Sequence, residues 1–323
     1  MASYIKGTGS YIPEEKISNR ELSKRFGIDE EWIFQRTGII ERRRSSSKGV
    51  VDMAFPAVLS AIERAKLEKK DVSAIIFATV TPEFLTPSSA CVLQSKLRIK
   101  RAIAFDISAA CSGFIYGLFL SSMVVEKIGG AVLVVGAEYL TGFVNYNDRN
   151  TSILFGDGAG AVIVGKDPPG HKILDFYITA EGDGWKSLLI PAGGARLPAS
   201  ERTVKLNLHT FKMKGKEVFR NAISGMEEAI TKLIEKNGIK KDDISMLIPH
   251  QANERITIAL AERLGMEWKR VYSNILSLGN TSSASIPIAL DEIERKKILK
   301  KGDLVCMASF GAGYTFGACL MEW

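Results

Sequence analysis

The sequence predicts an α/β protein whose βα units are arranged in layers, and three observations support this prediction. Short apolar runs alternate with amphipathic stretches of helical spacing along most of the chain. Glycine is frequent, with 29 residues, as expected for a fold with many tight turns between strands and helices. Two pairs of segments also repeat at a common spacing, which indicates that the fold is built from two similar halves.

Six apolar runs are predicted strands and five amphipathic stretches are predicted helices. The predicted strands are residues 74–78, 102–106, 131–135, 161–164, 246–248 and 304–308. The predicted helices are residues 52–66, 113–128, 216–237, 254–264 and 286–297.

The internal repeat has an offset of 172 residues: segment 69–76 resembles segment 241–248, and segment 130–134 resembles segment 302–306. Chance similarity between βα units is the alternative, but the shared offset favours duplication. We therefore predict two halves, residues 1–170 and residues 171–323. At this offset Cys111 corresponds to Ser283, so the turn carrying Cys111 and the turn following Asn280 are expected in equivalent places, each between a strand and a helix.

The composition is that of a globular protein, since 46% of the 323 residues are hydrophobic and 24% are charged. The net charge of +7 is compatible with an anionic partner and equally with an ordinary solvated surface. The densest basic run, Arg42-Arg43-Arg44, is too short to indicate a nucleic-acid site. We therefore predict no nucleic-acid partner.

Four cysteines, Cys91, Cys111, Cys306 and Cys319, lack the Cys-x-x-Cys spacing of zinc sites and redox pairs. We predict reduced thiols and no metal. The first residues lack the charged region and apolar stretch of a signal peptide. No run approaches the roughly 18 apolar residues of a membrane span. These features predict a cytoplasmic protein with no membrane partner.

Cys111 is the best candidate for a nucleophile. It follows an apolar strand and precedes a helix, and the partial positive charge of a helix N-terminus is expected to lower a thiol pKa. Its neighbours Ala109, Ala110 and Gly113 are small, which leaves room for a substrate. The alternative, a buried structural cysteine, fits the other three cysteines better because they lie in strand-like or helical apolar runs.

A cysteine nucleophile commonly works with a histidine, and the chain has three. His171 follows Pro-Pro-Gly and His209 lies in a polar stretch, so we interpret both as surface or loop residues. His250 ends the apolar strand 246–249, and strand ends are where catalytic side chains collect in open α/β folds. His250 is therefore the predicted partner of Cys111.

Turns that contain glycine add candidate hydrogen-bond donors. Asn280 lies on a glycine turn, where backbone capping is the ordinary role, but beside Cys111 and His250 it becomes a candidate stabiliser of an oxyanion or enolate. The turn 310–314 exposes backbone N–H groups that suit a phosphate or an oxyanion. Segment 155–160 precedes a strand, whereas the dinucleotide fingerprint follows one, so we predict no NAD site.

These motifs resemble those of the β-ketoacyl-[acyl carrier protein] synthase III family, the initiating condensing enzymes of type II fatty-acid synthesis. The matching segments are residues 109–113, 155–160, 190–194, 250–253, 279–282 and 310–313. The resemblance extends over nearly the whole chain. It implies a thiolase-like layered αβαβα fold with two pseudo-duplicated halves, a homodimer, and no bound cofactor, because CoA enters as a thioester substrate.

The resemblance implies an acyltransferase with two half-reactions. Cys111 would take an acyl group from acyl-CoA, by default acetyl-CoA. The acyl group would then condense with malonyl-acyl carrier protein, with loss of CO2, to a β-ketoacyl-acyl carrier protein. His250 and Asn280 would donate hydrogen bonds to the malonyl thioester oxygen. The backbone N–H groups of Cys111 and Ala312 would form the oxyanion hole.

The resemblance also implies binding residues. Those for CoA are Trp32, Arg36, Thr37 and Arg149. Arg220 and Arg255 correspond to a basic face on which the acidic carrier protein docks. Thr86 stands where some members have a phenylalanine that limits the acyl pocket, so the length of the primer stays open.

Two alternatives remain at this point. One is an acyltransferase of the same fold that serves another acceptor outside primary lipid synthesis. The other is a non-catalytic subunit that binds the carrier protein. A non-catalytic subunit is expected to have lost one of Cys111, His250 and Asn280, and all three are present.

Overall fold

In the computed structural model, which describes residues 3–323, strands and helices alternate through most of the chain. The strands are β1 Ser3–Tyr11, β2 Glu15–Ser18, β3 Glu41–Arg44, β4 Val72–Ala78, β5 Ile103–Ile107, β6 Ala131–Glu138, β7 Gly158–Gly165, β8 His171–Ala180, β9 Leu188–Leu189, β10 Lys212–Met213, β11 Ile244–Pro249, β12 Leu304–Gly311 and β13 Thr315–Glu322. The helices are α1 Asn19–Phe26, α2 Glu30–Thr37, α3 Val50–Arg64, α4 Ser89–Leu97, α5 Gly113–Ile128, α6 Arg149–Ser152, α7 Glu201–Lys205, α8 Gly215–Lys236, α9 Glu254–Leu264, α10 Ile275–Leu278 and α11 Ser285–Lys296.

One large mixed sheet organises the described residues, with the strand order β11-β12-β13-β8-β1-β7-β6-β4-β5. Strand β4 pairs in parallel with β5 and β6, and β11 pairs in parallel with β12. The pairings through β13, β8, β1 and β7 are antiparallel. Parallel strands end at a common edge, so the loops that follow β4, β5 and β6 lie together, as do those that follow β11 and β12.

The helices form three layers. One layer packs between the two ends of this sheet, and one covers the outer face of each end. Helices α5 and α11 lie in the middle, where their apolar side chains share one core with both ends of the sheet. Helices α3 and α4 cover the outer face at the β4–β7 end. Helices α8 and α9 cover the outer face at the β11–β13 end. The result is the predicted αβαβα layering.

Every predicted strand and helix overlaps an observed one, and helix α9 has the predicted bounds. Three long strands were not predicted: β1, β8 and β13. In β1 and β8 polar residues interrupt the apolar ones, as in His171-Lys172-Ile173-Leu174-Asp175, whereas β13 contains an uninterrupted apolar run, residues 316–321, that was overlooked. The interpretation of His171 as a loop residue was wrong, because it begins β8, and its Nε2 lies 2.9 Å from the Glu294 carboxylate.

The expectation that no run approaches the length of a membrane span was wrong, because the stretch Ala110–Ile128 fits one by length and composition. In this fold the stretch contains α5. Phe114, Ile115, Leu118 and Val125 of this helix are buried in the middle layer of the core. The apolar character of α5 is therefore explained by packing against the sheet on both sides.

The repeat offset reappears in the two short turns that precede the middle helices. The 3-10 turn Ala110–Ser112 leads into α5, and the 3-10 turn Ser282–Ala284 leads into α11. The turns lie close together, since a Cβ on Gly113, the first residue of α5, would stand 3.8 Å from the Ser283 Cβ. The division into halves 1–170 and 171–323 stays a prediction.

Candidate active site

A cavity of about 640 Å³ opens where the two turns meet. Cys111, His250 and Asn280 all line it, and so does Ala312. These residues come from four different loops, which follow β5, β11, α10 and β12. The structure thus brings the predicted nucleophile, its predicted histidine partner and the predicted amide donor to one chamber.

Cys111 lies in the turn before α5, beside a backbone held at positive φ in Ala110 (φ 48°). The residue is partly exposed to the cavity, although burial dominates the environment of its sulfur and raises the pKa of the thiol to about 12. Hydrogen bonding from Ser282 and from the Cys111 N–H lowers this pKa, but by less than burial raises it. The expectation of a lowered thiol pKa was therefore wrong, although the position before a helix was correct.

His250 is held at the end of β11 by a 2.7 Å hydrogen bond from its N–H to the Ala308 carbonyl. Its Nδ1 lies 2.7 Å from the Ser285 hydroxyl oxygen, which accepts the Gln251 N–H at 3.4 Å. We assign the hydroxyl proton to the bond with Nδ1, which leaves the imidazole proton on Nε2. Burial lowers the pKa of His250 to about 3, so the ring is neutral at physiological pH.

Asn280 lines the cavity through a loop that its own side chain helps to hold. Its Oδ1 accepts the Ser282 N–H at 2.8 Å, which assigns the orientation of the carboxamide. Its backbone bonds the loop before β7: its N–H donates to Leu154 at 2.8 Å, and its carbonyl accepts from Gly156 at 2.9 Å. With Oδ1 occupied, Nδ2 is the group available to a ligand.

The glycine-rich segment 155–160 supports this loop. Gly156 lies against α10, where a Cβ would be 2.2 Å from the Leu278 carbonyl oxygen. The buried Asp157 carboxylate accepts from the Thr141 N–H at 2.8 Å and from the Ser45 N–H at 2.8 Å. The close approach of the Gly156 backbone to α10 therefore helps to position Asn280.

The turn after β12 packs on the turn that carries Cys111. A Cβ on Gly311 would lie 2.8 Å from the Ala109 carbonyl oxygen and 3.0 Å from the Cys111 nitrogen. Ala312 has a negative φ, so its side chain causes no backbone strain at this position. The N–H groups of Cys111 and Ala312 thus belong to two adjacent backbone segments at the floor of the cavity.

The mouth of the cavity is aromatic and basic. The Trp32 ring has the Arg36 guanidinium carbon 4.9 Å from its centroid and that of Arg149 at 5.5 Å. Thr37 also lines the cavity, but its hydroxyl donates to the Ile33 carbonyl at 2.8 Å and caps the end of α2. All four predicted CoA residues therefore lie at the same cavity as Cys111.

Of the three remaining predicted residues, one lines the cavity and two do not. Arg255 is exposed and lines the cavity, with its guanidinium carbon 5.6 Å from the centroid of the Phe219 ring. Arg220 is exposed on α8 but is not part of the lining. Thr86 lies on an exposed loop and does not line the cavity within this chain, so its place in the acyl pocket stays a prediction.

Comparison with known proteins decides the family. Residues 105–182 match the family model of 3-oxoacyl-[acyl-carrier-protein] synthase III, and residues 234–323 match that of its C-terminal part. The β-ketoacyl-[acyl-carrier-protein] synthase III of Caldanaerobacter subterraneus is 48% identical, covering 100% of this chain and 98% of that protein. The chain belongs to the β-ketoacyl-[acyl carrier protein] synthase III family. The enzyme of that name from Clostridioides difficile is 47% identical, covering 99% of this chain and 98% of that protein.

A solved structure also supports the assignment of the chain to this family. The crystal structure of 3-oxoacyl-[acyl-carrier-protein] synthase III from Aquifex aeolicus superposes with a TM-score of 0.90 at 41% identity, covering 99% of this chain and 100% of that one. The chain is thus an acyltransferase of thiolase-like fold, a condensing enzyme of the initiating step of type II fatty-acid synthesis. The predicted family, fold class and enzyme class are confirmed.

Two polar residues near the candidate site of this synthase were not predicted from the sequence. Ser285 holds the His250 ring, and Glu138 lies buried beneath the Ser282–Ala284 turn. A signal for Glu138 was available, since it is a carboxylate at the end of the apolar run 131–137. Charged residues are almost never fully buried unless paired or hydrogen-bonded. Ser285 offered no comparable signal, because it follows several other serines.

Proposed function

We propose that this synthase condenses an acyl-CoA primer with malonyl-acyl carrier protein through an acyl-enzyme on Cys111. The products are β-ketoacyl-acyl carrier protein, CoA and CO2. The observation that carries the proposal is the shared cavity of Cys111, a neutral His250 and the free amide of Asn280. A non-catalytic subunit would not require these three groups in one chamber.

In the first half-reaction the sulfur of Cys111 attacks the thioester carbonyl of acyl-CoA. A tetrahedral oxyanion forms, and the N–H groups of Cys111 and Ala312 stabilise it. Collapse of this intermediate leaves a thioester on Cys111 and expels CoA, which takes up the proton that the Cys111 thiol lost and leaves as its thiol. Backbone donors suit this task because their positions are fixed before the charge develops.

In the second half-reaction the malonyl thioester loses CO2. Negative charge then develops on its thioester oxygen, and His250 Nε2–H with Asn280 Nδ2–H donates to that oxygen. The resulting carbanion attacks the acyl carbon on Cys111, and the sulfur leaves as a thiolate that takes a proton from solvent to restore the thiol. A neutral His250 is suited to this role because it donates from Nε2 without first taking a proton.

CoA is expected to place its adenine on Trp32, between the ring and the nearby guanidinium of Arg149. Trp32→Ala should raise the KM for acyl-CoA about fivefold or more, since stacking on an aromatic ring is worth ~1–3 kcal/mol per base. The measurement is steady-state kinetics with varied acyl-CoA.

Trp185→Ala is the matched control for this variant. Trp185 is also flanked by two cations, Lys186 and Arg196, and lies outside the cavity lining. It should leave the KM for acyl-CoA within about twofold of wild type. Equal increases in the two variants would contradict the assigned CoA position.

The acidic carrier protein is expected to dock on the basic face that contains Arg220 and Arg255. Arg255→Glu should raise the KM for malonyl-acyl carrier protein about fivefold or more at low ionic strength, because the charge near the cavity mouth is reversed. The effect should shrink as salt screens the charge. The KM for acyl-CoA should change little.

Lys232→Glu is the control for Arg255→Glu, because it makes the same change in net charge at an exposed site on α8, three helical turns beyond Arg220. Its KM for malonyl-acyl carrier protein should stay near that of wild type. A similar rise in both variants would assign the effect to net charge and refute the docking face.

We further propose that the enzyme works in the cytoplasm as a homodimer, without cofactor, membrane or nucleic acid. Acetyl-CoA is the expected primer. The test of the function is a panel of acyl-CoAs of rising length, each with malonyl-acyl carrier protein, following CO2 and β-ketoacyl product. Primer-dependent CO2 release with β-ketoacyl product is expected. Transfer of the acyl group to another acceptor, with no CO2, would overturn the proposal.

A further inference from the structure

Arg42, a residue of β3, is fully buried, and neither half-reaction above uses it. Burial lowers the pKa of its guanidinium to about 10, which leaves the group charged at neutral pH. Its hydrogen bonds within residues 3–323 go to neutral amide oxygens. Nε and Nη2 donate to the Ile153 carbonyl at 3.0 and 2.7 Å, and Nη1 donates to Asn19 Oδ1 at 2.6 Å. Burial of a charge among neutral partners is costly, so stability alone does not explain an arginine here.

Asn19 fixes the direction of the Arg42 guanidinium. Its Nδ2 donates to the Ile39 carbonyl at 2.7 Å, which assigns Oδ1 to the side that faces Arg42. Its backbone N–H donates to the Ile40 carbonyl at 2.9 Å. The backbone of Arg42 is paired with Ile17 in the β2–β3 ladder. Arg42 is therefore held both at its backbone and at the tip of its side chain.

The guanidinium takes the place of a helical hydrogen bond at the end of α6. Ile153 follows the last residue of this helix, and the Asp157 N–H would bond its carbonyl if the helix continued. That N–H instead donates to the Arg43 carbonyl at 2.8 Å. Arg42 supplies two N–H groups to the Ile153 carbonyl in its place. The consecutive residues Arg42 and Arg43 thus end α6 and hold residues 153–157 outside a helix.

The segment that Arg42 holds is the one that bonds the Asn280 backbone. The Asn280 N–H donates to the Leu154 carbonyl at 2.8 Å, and the Asn280 carbonyl accepts from the Gly156 N–H at 2.9 Å. Leu154 directly follows Ile153. The carbonyl bound by the guanidinium and the carbonyl bound by Asn280 therefore belong to consecutive residues.

Arg42 also contacts the turn on the other side of Asn280. Gly279 has a positive φ of 69°, and a Cβ at this position would stand 2.9 Å from Arg42 Cγ and 2.8 Å from the Leu154 carbonyl oxygen. The aliphatic part of Arg42 thus packs directly against the Gly279 backbone. The residue before Asn280 and the segment that bonds Asn280 are both in contact with one side chain or held by it.

We propose that Arg42 is a positioning residue for condensation, which sets the place of the Asn280 amide donor. Arg42 does not touch the substrates, so its effect passes through the backbone around Asn280. A misplacement of about 1 Å at a reacting centre can cost ~10²-fold in rate. This inference rests on the proposed function and deepens it by naming the group that positions one of its two donors.

The first test is Arg42→Lys, which keeps the charge and the aliphatic part but replaces two directed donors on one carbonyl by a single ammonium group. Condensation should slow ~10-fold or more, while acylation at saturating acyl-CoA should stay within about threefold of wild type, because only condensation uses the Asn280 amide. Rapid-mixing measurements of CoA and CO2 release separate the two rates. Acylation near the wild-type rate also shows that the variant is folded. An equal fall in both rates would overturn the inference.

Arg270→Lys is the matched control. Arg270 likewise directs Nε and Nη2 at one backbone carbonyl, that of Ile244, the first residue of β11, whereas His250 follows the other end of this strand. Its condensation rate should stay within about threefold of wild type, because the substitution lies away from the Asn280 turn. A loss equal to that in Arg42→Lys would assign the effect to general destabilisation and refute the positioning role.

The decisive test combines Arg42→Lys with Asn280→Ala. Once the amide donor is absent, its position no longer matters, so Arg42→Lys should slow condensation less than about twofold further on this background. A further loss of the full ~10-fold would mean that Arg42 acts independently of Asn280. That result would overturn the inference and leave the donor role of Asn280 standing. Failure of the wild-type enzyme to condense acyl-CoA with malonyl-acyl carrier protein would overturn the proposed function as well.

Discussion

Cys111→Ser is expected to form no detectable acyl-enzyme and to lower the overall condensation rate by about 10⁴-fold or more, as loss of a nucleophile does in other covalent enzymes. A serine hydroxyl is a far weaker nucleophile than the sulfur of cysteine. Replacement of sulfur by oxygen changes the shape of the cavity very little. Intact-protein mass spectrometry after incubation with acyl-CoA measures the result directly.

The decarboxylation of malonyl-acyl carrier protein provides the control for this variant. Cys111→Ser keeps His250 and Asn280, so CO2 release without condensation should persist and would show that the chamber is intact. An acyl group that still binds covalently to the variant would place the nucleophile elsewhere. That result would remove Cys111 from the mechanism.

Asn280→Ala has the second largest expected effect. Condensation should slow by ~10²–10³, the usual cost of one donor to a developing oxyanion. Acylation should stay within about threefold of wild type, because the Asn280 amide is assigned to the second half-reaction. Rapid-mixing measurements of CoA release and of CO2 release separate the two steps.

Asn280→Asp refines this experiment. An aspartate keeps an oxygen for the Ser282 N–H, which Asn280 Oδ1 accepts at 2.8 Å, but has no N–H to offer the thioester oxygen. It should therefore slow condensation at least as much as Asn280→Ala and leave the Ser282 turn in place. If acylation and condensation fell equally in both variants, the assigned donor role of Asn280 would be refuted.

The fold was predictable where burial is continuous along the chain. Helix α9 and the parallel strands β4 and β6 give clear apolar patterns, and their positions were anticipated. The central antiparallel strands β1 and β8 were not, because polar residues interrupt their apolar runs, and the short apolar run of β13 was overlooked. What defines those strands is pairing with distant partners, such as Thr315 of β13 with Ala180 of β8.

The candidate site was predictable where chemistry depends on local sequence. Cys111, His250 and Asn280 each stand beside a strand or helix end, which the sequence indicates. Glu138 has its hydrogen-bond partners 57 to 145 residues away along the chain, and the direction of the Cys111 pKa shift depends on burial in the folded protein. Such long-range contacts have no local pattern, so the sequence could indicate a buried carboxylate at Glu138 but neither its partners nor the direction of the Cys111 pKa shift.

The most direct test of this account is to locate the acyl group in the wild-type enzyme. After incubation with acyl-CoA, peptide mass mapping should place one acyl group on Cys111. Addition of malonyl-acyl carrier protein should remove it with matching release of CO2 and β-ketoacyl product. An acyl group on another residue, or one on Cys111 that malonyl-acyl carrier protein does not remove, would contradict the account.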